Sequence, residues 1–403
     1  MQIIINPNTS FYSELTAIEP PLWALMIASE WYEDCVLIDA EAENLSFGEI
    51  VDRVKRIQPE SVLICVMGRN PSVSSTPKMP ISTELARVLG QFYKVIFTGL
   101  HPQAVPTVSV AGVNCEVNAF LPLMESPLRW ELLPMDKYRA HNWHCLDGSP
   151  RSPYGVTYTS VGCPYNCYYC NIHALYPDRK LRLRPTELVI QDIENLVTKY
   201  NVRNIKFWDE LFASEEQHVV DICQSIISKG FDLNIWAYAR VDTITEKMLT
   251  NMRKAGINWL CYGFESADIE VRRKLNKRFG NDRMTEAIKM TKDAGINILG
   301  NFMFGLPNET EDAMKASSDF ARENLFEFVN FYVALPYPGS DWYKDTKGNS
   351  EWSSFDQLDL PSSPAKTFRD KAYKEYFTNP DYLSLISRKF GQPGLEVIKG
   401  LKL

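Results

Sequence analysis

The chain has 403 residues, 45% hydrophobic and 23% charged, an ordinary globular composition with length enough for two domains. Lys and Arg number 43 against 50 Asp and Glu, and the formal charge of −7 excludes broad nucleic-acid binding, which rests on neutralising phosphates. No run of about 18 apolar residues occurs, so no membrane span is expected.

Residues 1–125 read as alternating strand and helix. Apolar runs at Ile3 to Ile5, Cys35 to Asp39, Ser61 to Met67 and Lys94 to Gly99 predict four strands. Helices are expected near Leu22 to Trp31, Phe47 to Ile57 and Ile81 to Phe92. Continuous apolar strands alternating with amphipathic helices imply a Rossmann-like parallel sheet covered on both faces. Ligands of such sheets bind beyond the carboxyl ends of the strands. The loops there are small and polar: Asn6-Pro7-Asn8-Thr9, Gly68-Arg69-Asn70-Pro71-Ser72 and Gly99-Leu100-His101-Pro102. The same residue types also make ordinary turns.

Residues 126–154 are a proline-punctuated connector. Its cluster Tyr138-Arg139-Ala140-His141-Asn142-Trp143-His144 reads as interdomain packing, with two histidines three apart as a metal-binding alternative. From 155 to 340 the alternation resumes with six strands: Gly155 to Ser160, Asn204 to Trp208, Leu233 to Arg240, Trp259 to Glu265, Asn297 to Phe304 and Phe328 to Leu335. Five helices fall between them, which predicts a partial (β/α)6 barrel, with functional groups where strands end. Those ends carry cysteines, Asp209-Glu210, Arg240 with Asp242, Glu265-Ser266, then Asn301 and Gly305-Leu306-Pro307. Residues 341–403 are a short helical extension, too small for a third core.

After the first barrel strand comes Gly162-Cys163-Pro164-Tyr165-Asn166-Cys167-Tyr168-Tyr169-Cys170, a C-x3-C-x2-C loop. Three thiolates on one tight loop can hold three corners of a [4Fe–4S] cube and leave the fourth iron open. A structural zinc completed by His173, a disulfide pair, or three incidental cysteines are the alternatives. The other six of the nine cysteines (Cys35, Cys65, Cys115, Cys145, Cys223 and Cys261) are scattered and read as reduced packing residues. With no basic segment or cleavage site at the N-terminus, a cytoplasmic protein is expected.

The cysteine loop, with Tyr169 before its last cysteine, resembles the radical S-adenosylmethionine (SAM) superfamily. The likeness continues through Trp208-Asp209-Glu210, Trp236-Ala237-Tyr238-Ala239-Arg240, Tyr262-Gly263-Phe264-Glu265-Ser266 and Gly305-Leu306-Pro307. It implies that Cys163, Cys167 and Cys170 ligate a [4Fe–4S] cluster whose open iron is chelated by SAM. It further implies that Tyr169 lies near the adenine and that Asp209 and Glu210 hold the methionyl end. Arg240 and Glu265 would contact ribose or carboxylate, and Asn301 and Pro307 would flank the adenosyl group. An acidic acceptor for the SAM ammonium is what charge pairing demands.

Residues 1–125 resemble the cobalamin-binding domain fused to many of these enzymes. That likeness implies cobalamin contacts at Asn8, Thr9, Gly68, Arg69, Asn70, Ser72, Gly99, Leu100 and His101. No D-x-H-x-x-G motif is present, and Arg69, always protonated, is a poor cobalt ligand that would disfavour lower-face coordination. The family then implies methylation of an unactivated carbon of a small molecule. One SAM supplies the methyl group through cobalamin and a second supplies a 5′-deoxyadenosyl radical. Rearrangement, cyclisation or epimerisation is the alternative outcome. An external reductant of flavodoxin or ferredoxin type is expected, and no nucleic-acid partner. Tyr332, Tyr337 and Trp352 are the candidate substrate residues, with Arg369 also in reach of the role.

Overall fold

The computed structural model describes residues 1–9, 16–70, 78–110, 112–346 and 363–401. Ser72 and Trp352 lie outside them.

The first sheet is parallel and runs in the order β2-β1-β3-β4-β5. Its strands are β1 (Gln2–Asn6), β2 (Cys35–Asp39), β3 (Ser61–Cys65), β4 (Lys94–Thr98) and β5 (Cys115–Val117). The last, three residues long, is too short to stand out in the sequence. Ile3, Ile5, Ile38, Ile64 and Phe97 point to one face and are buried beneath the helices Phe47–Ile57 and Met79–Leu89. Ile4, Leu37, Leu63 and Ile96 point to the other. The strand order reverses between β1 and β3, and the crevice at such a reversal is where ligands of doubly wound sheets bind. The loops leaving those two strands are 7–9 and 66–70.

The second sheet has six parallel strands in the order β13-β12-β11-β10-β9-β6. These are β6 (Tyr154–Thr157), β9 (Asn204–Phe207), β10 (Asn234–Ala239), β11 (Ile257–Glu265), β12 (Asn297–Phe304) and β13 (Phe328–Val333). The expected first barrel strand is interrupted: β7 (Ser160–Val161) leaves the sheet and pairs antiparallel with β8 (Arg182–Leu183). That short ribbon brackets the cysteine loop. Helix Pro364–Phe377 packs on β13 and helix Pro380–Lys399 packs against it, with Tyr376 and Tyr382 donating to the carbonyls of Phe326 and Glu327 just before the strand.

The two sheets share one hydrophobic core. Helix Leu22–Trp31 is buried over Leu22 to Ala28, because its apolar residues run round the whole cylinder. One side meets Ile4 and Leu37 of the first sheet, and the same core continues into β6, β9 and β10. The connector is part of it. Trp143 packs against Trp236 and Trp259 at ring distances of 5.4 and 5.2 Å, and Tyr138 donates to Asp39 at 2.7 Å. His141 stacks on Trp143 and faces Glu19, so this cluster is a packing segment.

A buried ion pair crosses between the two halves. Lys206 Nζ on β9 is 2.8 Å from Glu19 Oε2, with both side chains almost free of solvent. Burial favours a neutral Glu19, but Lys206 and His141 outweigh it and hold its pKa at about 2. Removing one charge of such a pair strands the other in a low dielectric. Glu19→Gln keeps an acceptor but no anion, and should cost about 2 kcal/mol in urea unfolding.

Candidate active site

The cysteine loop is tied down from three directions. Tyr168 N donates to Leu275 O at 3.1 Å, Asn276 Nδ2 to Asn166 O at 2.9 Å, and Trp342 N to Tyr168 O at 3.0 Å. Its first residue, Gly162, has φ +83°, and a Cβ there would collide with the Lys180 carbonyl oxygen on the facing ribbon. Gly162→Ala is therefore expected to displace the loop at a cost of about 1–3 kcal/mol of backbone strain. The check is fewer iron atoms retained per chain after reconstitution, together with a lower urea midpoint.

Cys163, Cys167 and Cys170 line one wall of a cavity of about 240 Å³ at the carboxyl ends of the barrel strands. Burial pushes the Cys163 thiol up to about 11 and the Cys170 thiol higher still. Thiols so placed ionise only beside a strong positive centre, which an iron cluster provides. His173 is already engaged, with Nε2 2.8 Å from Tyr165 O, so it is not poised as a fourth ligand. Among the described residues no three His, Cys, Asp or Glu side chains converge as on a single metal ion. A cube places its thiolates on separate corners and needs no such convergence.

Glu210 lies beside the cysteines. Its Oε2 accepts from Gly162 N at 2.9 Å, while Oε1 is buried and takes no hydrogen bond among the described residues. Burial, with the neighbouring Asp209 adding to it, raises this carboxyl to about 8. An orphaned buried acceptor next to an iron–sulfur loop fits the ammonium of a SAM methionyl group. Asp209, expected to share that task, does not line the cavity. Its two oxygens accept from Thr159 N, Thr159 Oγ1 and Ser160 Oγ at 2.6–2.8 Å, which spends them on the turn between β6 and β7.

Arg240 projects from the end of β10. Asp242 holds it at 2.9 and 2.8 Å, its guanidinium lies 3.8 Å over the Tyr165 ring, and Nη1 is 3.5 Å from Cys167 Sγ. Although burial works against the charge, Asp242 and Cys167 raise the pKa of Arg240 above its ordinary value. Glu265, at the end of β11, sits at φ +63° in a break of register with β12. Its Oε1 accepts from Tyr169 Oη at 2.6 Å and from Lys277 Nζ at 2.6 Å. A Cβ at 263 would lie 2.5 Å from Glu265 Oε1 and 2.9 Å from Lys277 Nζ, so a larger residue there would push this ion pair aside. A non-glycine residue held in the left-handed region at a cavity wall marks stored strain.

Asn301, Tyr332 and Tyr337 line the cavity. The 44% exposed Tyr332 also lines a second cavity of about 340 Å³ that shares Asn70, Tyr238, Cys261 and Asn301 with the first. Pro307 is outside both; its turn is held by Glu309, whose Oε2 accepts from Gly305 N and Leu306 N.

Of the residues expected at a cobalamin, Arg69 and Asn70 reach these cavities, and Gly68 lines only a 20 Å³ space behind them. Arg69 is paired with Glu41 at 2.7 Å. Asn8 is spent on Asn44 and Leu45, and Thr9 does not line the cavities. Gly99, Leu100 and His101 open a short helix, Leu100–Ala104, that packs on Ile172–Ala174 just past the last cysteine. Gly99 and Leu100 lie against Val66 and Met67 at the end of β3, and none of the three lines these two cavities.

Residues 157–321 match the family model of the Radical SAM superfamily. It is 27% identical to an uncharacterised methyltransferase of Pyrococcus horikoshii, over 94% of this chain and 93% of that one. It is 22% identical to an anaerobic magnesium-protoporphyrin IX monomethyl ester cyclase of Rubrivivax gelatinosus, over 89% and 72%. The fold is similar to that of the radical SAM methyltransferase TsrM from Kitasatospora setae, solved with cobalamin and a [4Fe–4S] cluster (TM-score 0.63, 14% identity, 85% of this chain and 73% of that one). It is also similar to the cobalamin-dependent enzyme OxsB, solved with aqua-cobalamin (TM-score 0.66, 15% identity, 95% and 67%).

Proposed function

We propose that this chain is a corrinoid-dependent radical SAM methyltransferase acting on carbon in a small molecule. The observation that carries the reading is the lumen shared by both halves. The cysteine loop of the barrel and the Arg69-Asn70 loop from the crevice of the first sheet open onto connected cavities.

Bound in that lumen, a [4Fe–4S] cluster on Cys163, Cys167 and Cys170 supplies the electron for reductive SAM cleavage, and a corrinoid supplies the transferable methyl group. The chain's own residues do the placing. Glu210 Oε1 would accept from the SAM ammonium, and Arg240, fixed by Asp242, holds a guanidinium N–H 3.5 Å from Cys167 Sγ. Glu265, Lys277 and Tyr169 form a polar triad at the wall, and the Tyr169 ring packs with Leu275, Met303 and Leu306 to keep water from it. Tyr332 and Tyr337 stand where a substrate ring would lie, and a flavodoxin or ferredoxin would deliver electrons.

The test is anaerobic reconstitution of the full chain with iron, sulfide and hydroxocobalamin, followed by spectra, SAM turnover and transfer of a labelled SAM methyl group. A chain that retains no corrinoid overturns the methyltransferase reading and leaves the radical SAM assignment standing. The alternative outcome is rearrangement, cyclisation or epimerisation; for epimerisation Cys261, which lines both cavities from within β11, is the thiol placed to return a hydrogen atom. A product that carries no methyl label would select it.

A further inference from the structure

The second cavity, of about 340 Å³, lies off the cluster loop, and none of Cys163, Cys167 and Cys170 lines it. Its volume is in the range of small-molecule sites. Two of its polar groups come from paired strands. Asn301 of β12 stands in register with Asn330 of β13, between the pairs Leu299–Phe328 and Met303–Tyr332. Alternation along β13 sends Phe328, Asn330 and Tyr332 to one face, and all three line the cavity together with Leu299 and Asn301.

Asn330 Nδ2 donates to Asn301 Oδ1 at 3.1 Å, and neither side chain makes another hydrogen bond among the described residues. A primary amide has two N–H groups and two lone pairs on its oxygen. The bond between the two uses one N–H of Asn330 and one lone pair of Asn301, which fixes the rotation of both. Asn330 keeps its second N–H beside its carbonyl oxygen. Exchanging O and N in both amides still leaves a donor beside an acceptor. The complement of such a pair is an acceptor beside a donor, as on the edge of a lactam. Asparagine reads heteroaromatic edges through two bonds of this kind in nucleic-acid recognition.

The rest of the wall decides what carries that edge. Trp143, Trp236, Tyr238, Phe328 and Tyr332 supply aromatic surface, against which a flat ring packs. No Asp or Glu is among the described lining residues, Arg69 is paired with Glu41 at 2.7 Å, and His141 faces Glu19. A charged guest would find every counter-ion of this wall already engaged.

We infer that Asn330 is a specificity residue that makes two hydrogen bonds to the lactam-type edge of an uncharged, flat ring, with Asn301 as its positioning residue. The substrate class is a neutral heterocycle with N–H beside C=O. Calling this guest the substrate rests on the proposed function; the pairing itself does not.

The experiment uses the full chain with its cluster reconstituted and measures binding of carbostyril, a benzo-fused lactam, and of its N-methyl derivative by equilibrium dialysis. Carbostyril should bind about 10-fold tighter, the worth of one well-made hydrogen bond. Equal affinities, or no binding of carbostyril, overturn the inference without recourse to a variant. Asn330→Leu, close in volume, and Asn330→Ala, which leaves room, should both lose the preference, with SAM affinity, iron content and urea midpoint near wild type. A preference that survives in either overturns the inference, because shape alone would then be its cause. The dialysis is repeated at saturating SAM and at saturating hydroxocobalamin, and carbostyril should bind undisturbed by either. Displacement by SAM would give Asn330 to the adenine, displacement by hydroxocobalamin would give the cavity to the corrinoid, and each overturns the inference. A chain that binds no hydroxocobalamin overturns the methyltransferase reading, and the two lactams still decide the role of Asn330.

Discussion

Cys167→Ala is expected to abolish reductive SAM cleavage and to leave a reconstituted chain with iron near background. Three thiolates are the fewest that hold a cube with one open iron, and two corners do not retain it. Cys167 is the member placed under Arg240, so its loss also leaves that guanidinium without its sulfur partner. Iron and sulfide analysis, with 5′-deoxyadenosine measured after chemical reduction, reads both effects. A variant that keeps its iron and still cleaves SAM would remove the basis for the whole site. Far-ultraviolet circular dichroism separates this from misfolding, because the cysteine loop lies outside the strands and helices of the core.

Lys277→Met should be the most destabilising single change in the cavity wall, at about 3–5 kcal/mol. The Lys277–Glu265 pair is 2.6 Å long, with side-chain exposures of 4% and 8%. Methionine fills similar volume but leaves the Glu265 carboxylate in a dry wall with Tyr169 as its remaining donor. Glu265 is also held in the left-handed region, and the ion pair with Lys277 helps to offset that strain. Urea unfolding measures the loss. The double variant Lys277→Met with Glu265→Leu should recover part of it, because removing both charges costs less than stranding one. No recovery would mean that Lys277 acts through packing alone.

Strands and the cysteine loop are legible in the sequence because they are local signals. Apolar runs bounded by turns mark both sheets, and three thiols at fixed spacing point to the metal chemistry. What stays hidden depends on groups far apart in the chain. Lys277 has no motif, and its role appears only when the loop after helix Ile269–Lys274 folds back onto β11. Lys206 does carry a signal, as a lone lysine in the apolar strand Asn204–Phe207, where burial demands a counter-ion. Glu19, 187 residues away, cannot be matched to it by spacing. Asp209 shows the converse. Its place at a strand end makes it a ligand candidate, yet Thr159 and Ser160 claim both its oxygens. Gly99, Leu100 and His101 look like a ligand-binding βα loop, and the helix they open also meets Ile172–Ala174, a contact between halves that no local pattern announces.

The helix Leu22–Trp31 has a mechanical consequence. Because its residues Leu22 to Ala28 are buried between the two sheets, no greased hinge separates them, and pulling them apart would wet a continuous apolar seam. The distance between the crevice of the first sheet and the cysteine loop is therefore a constant of the molecule. Reactants must arrive and leave by way of loops and side chains. A chain cut near residue 125 should yield two sticky fragments, neither of them a working half.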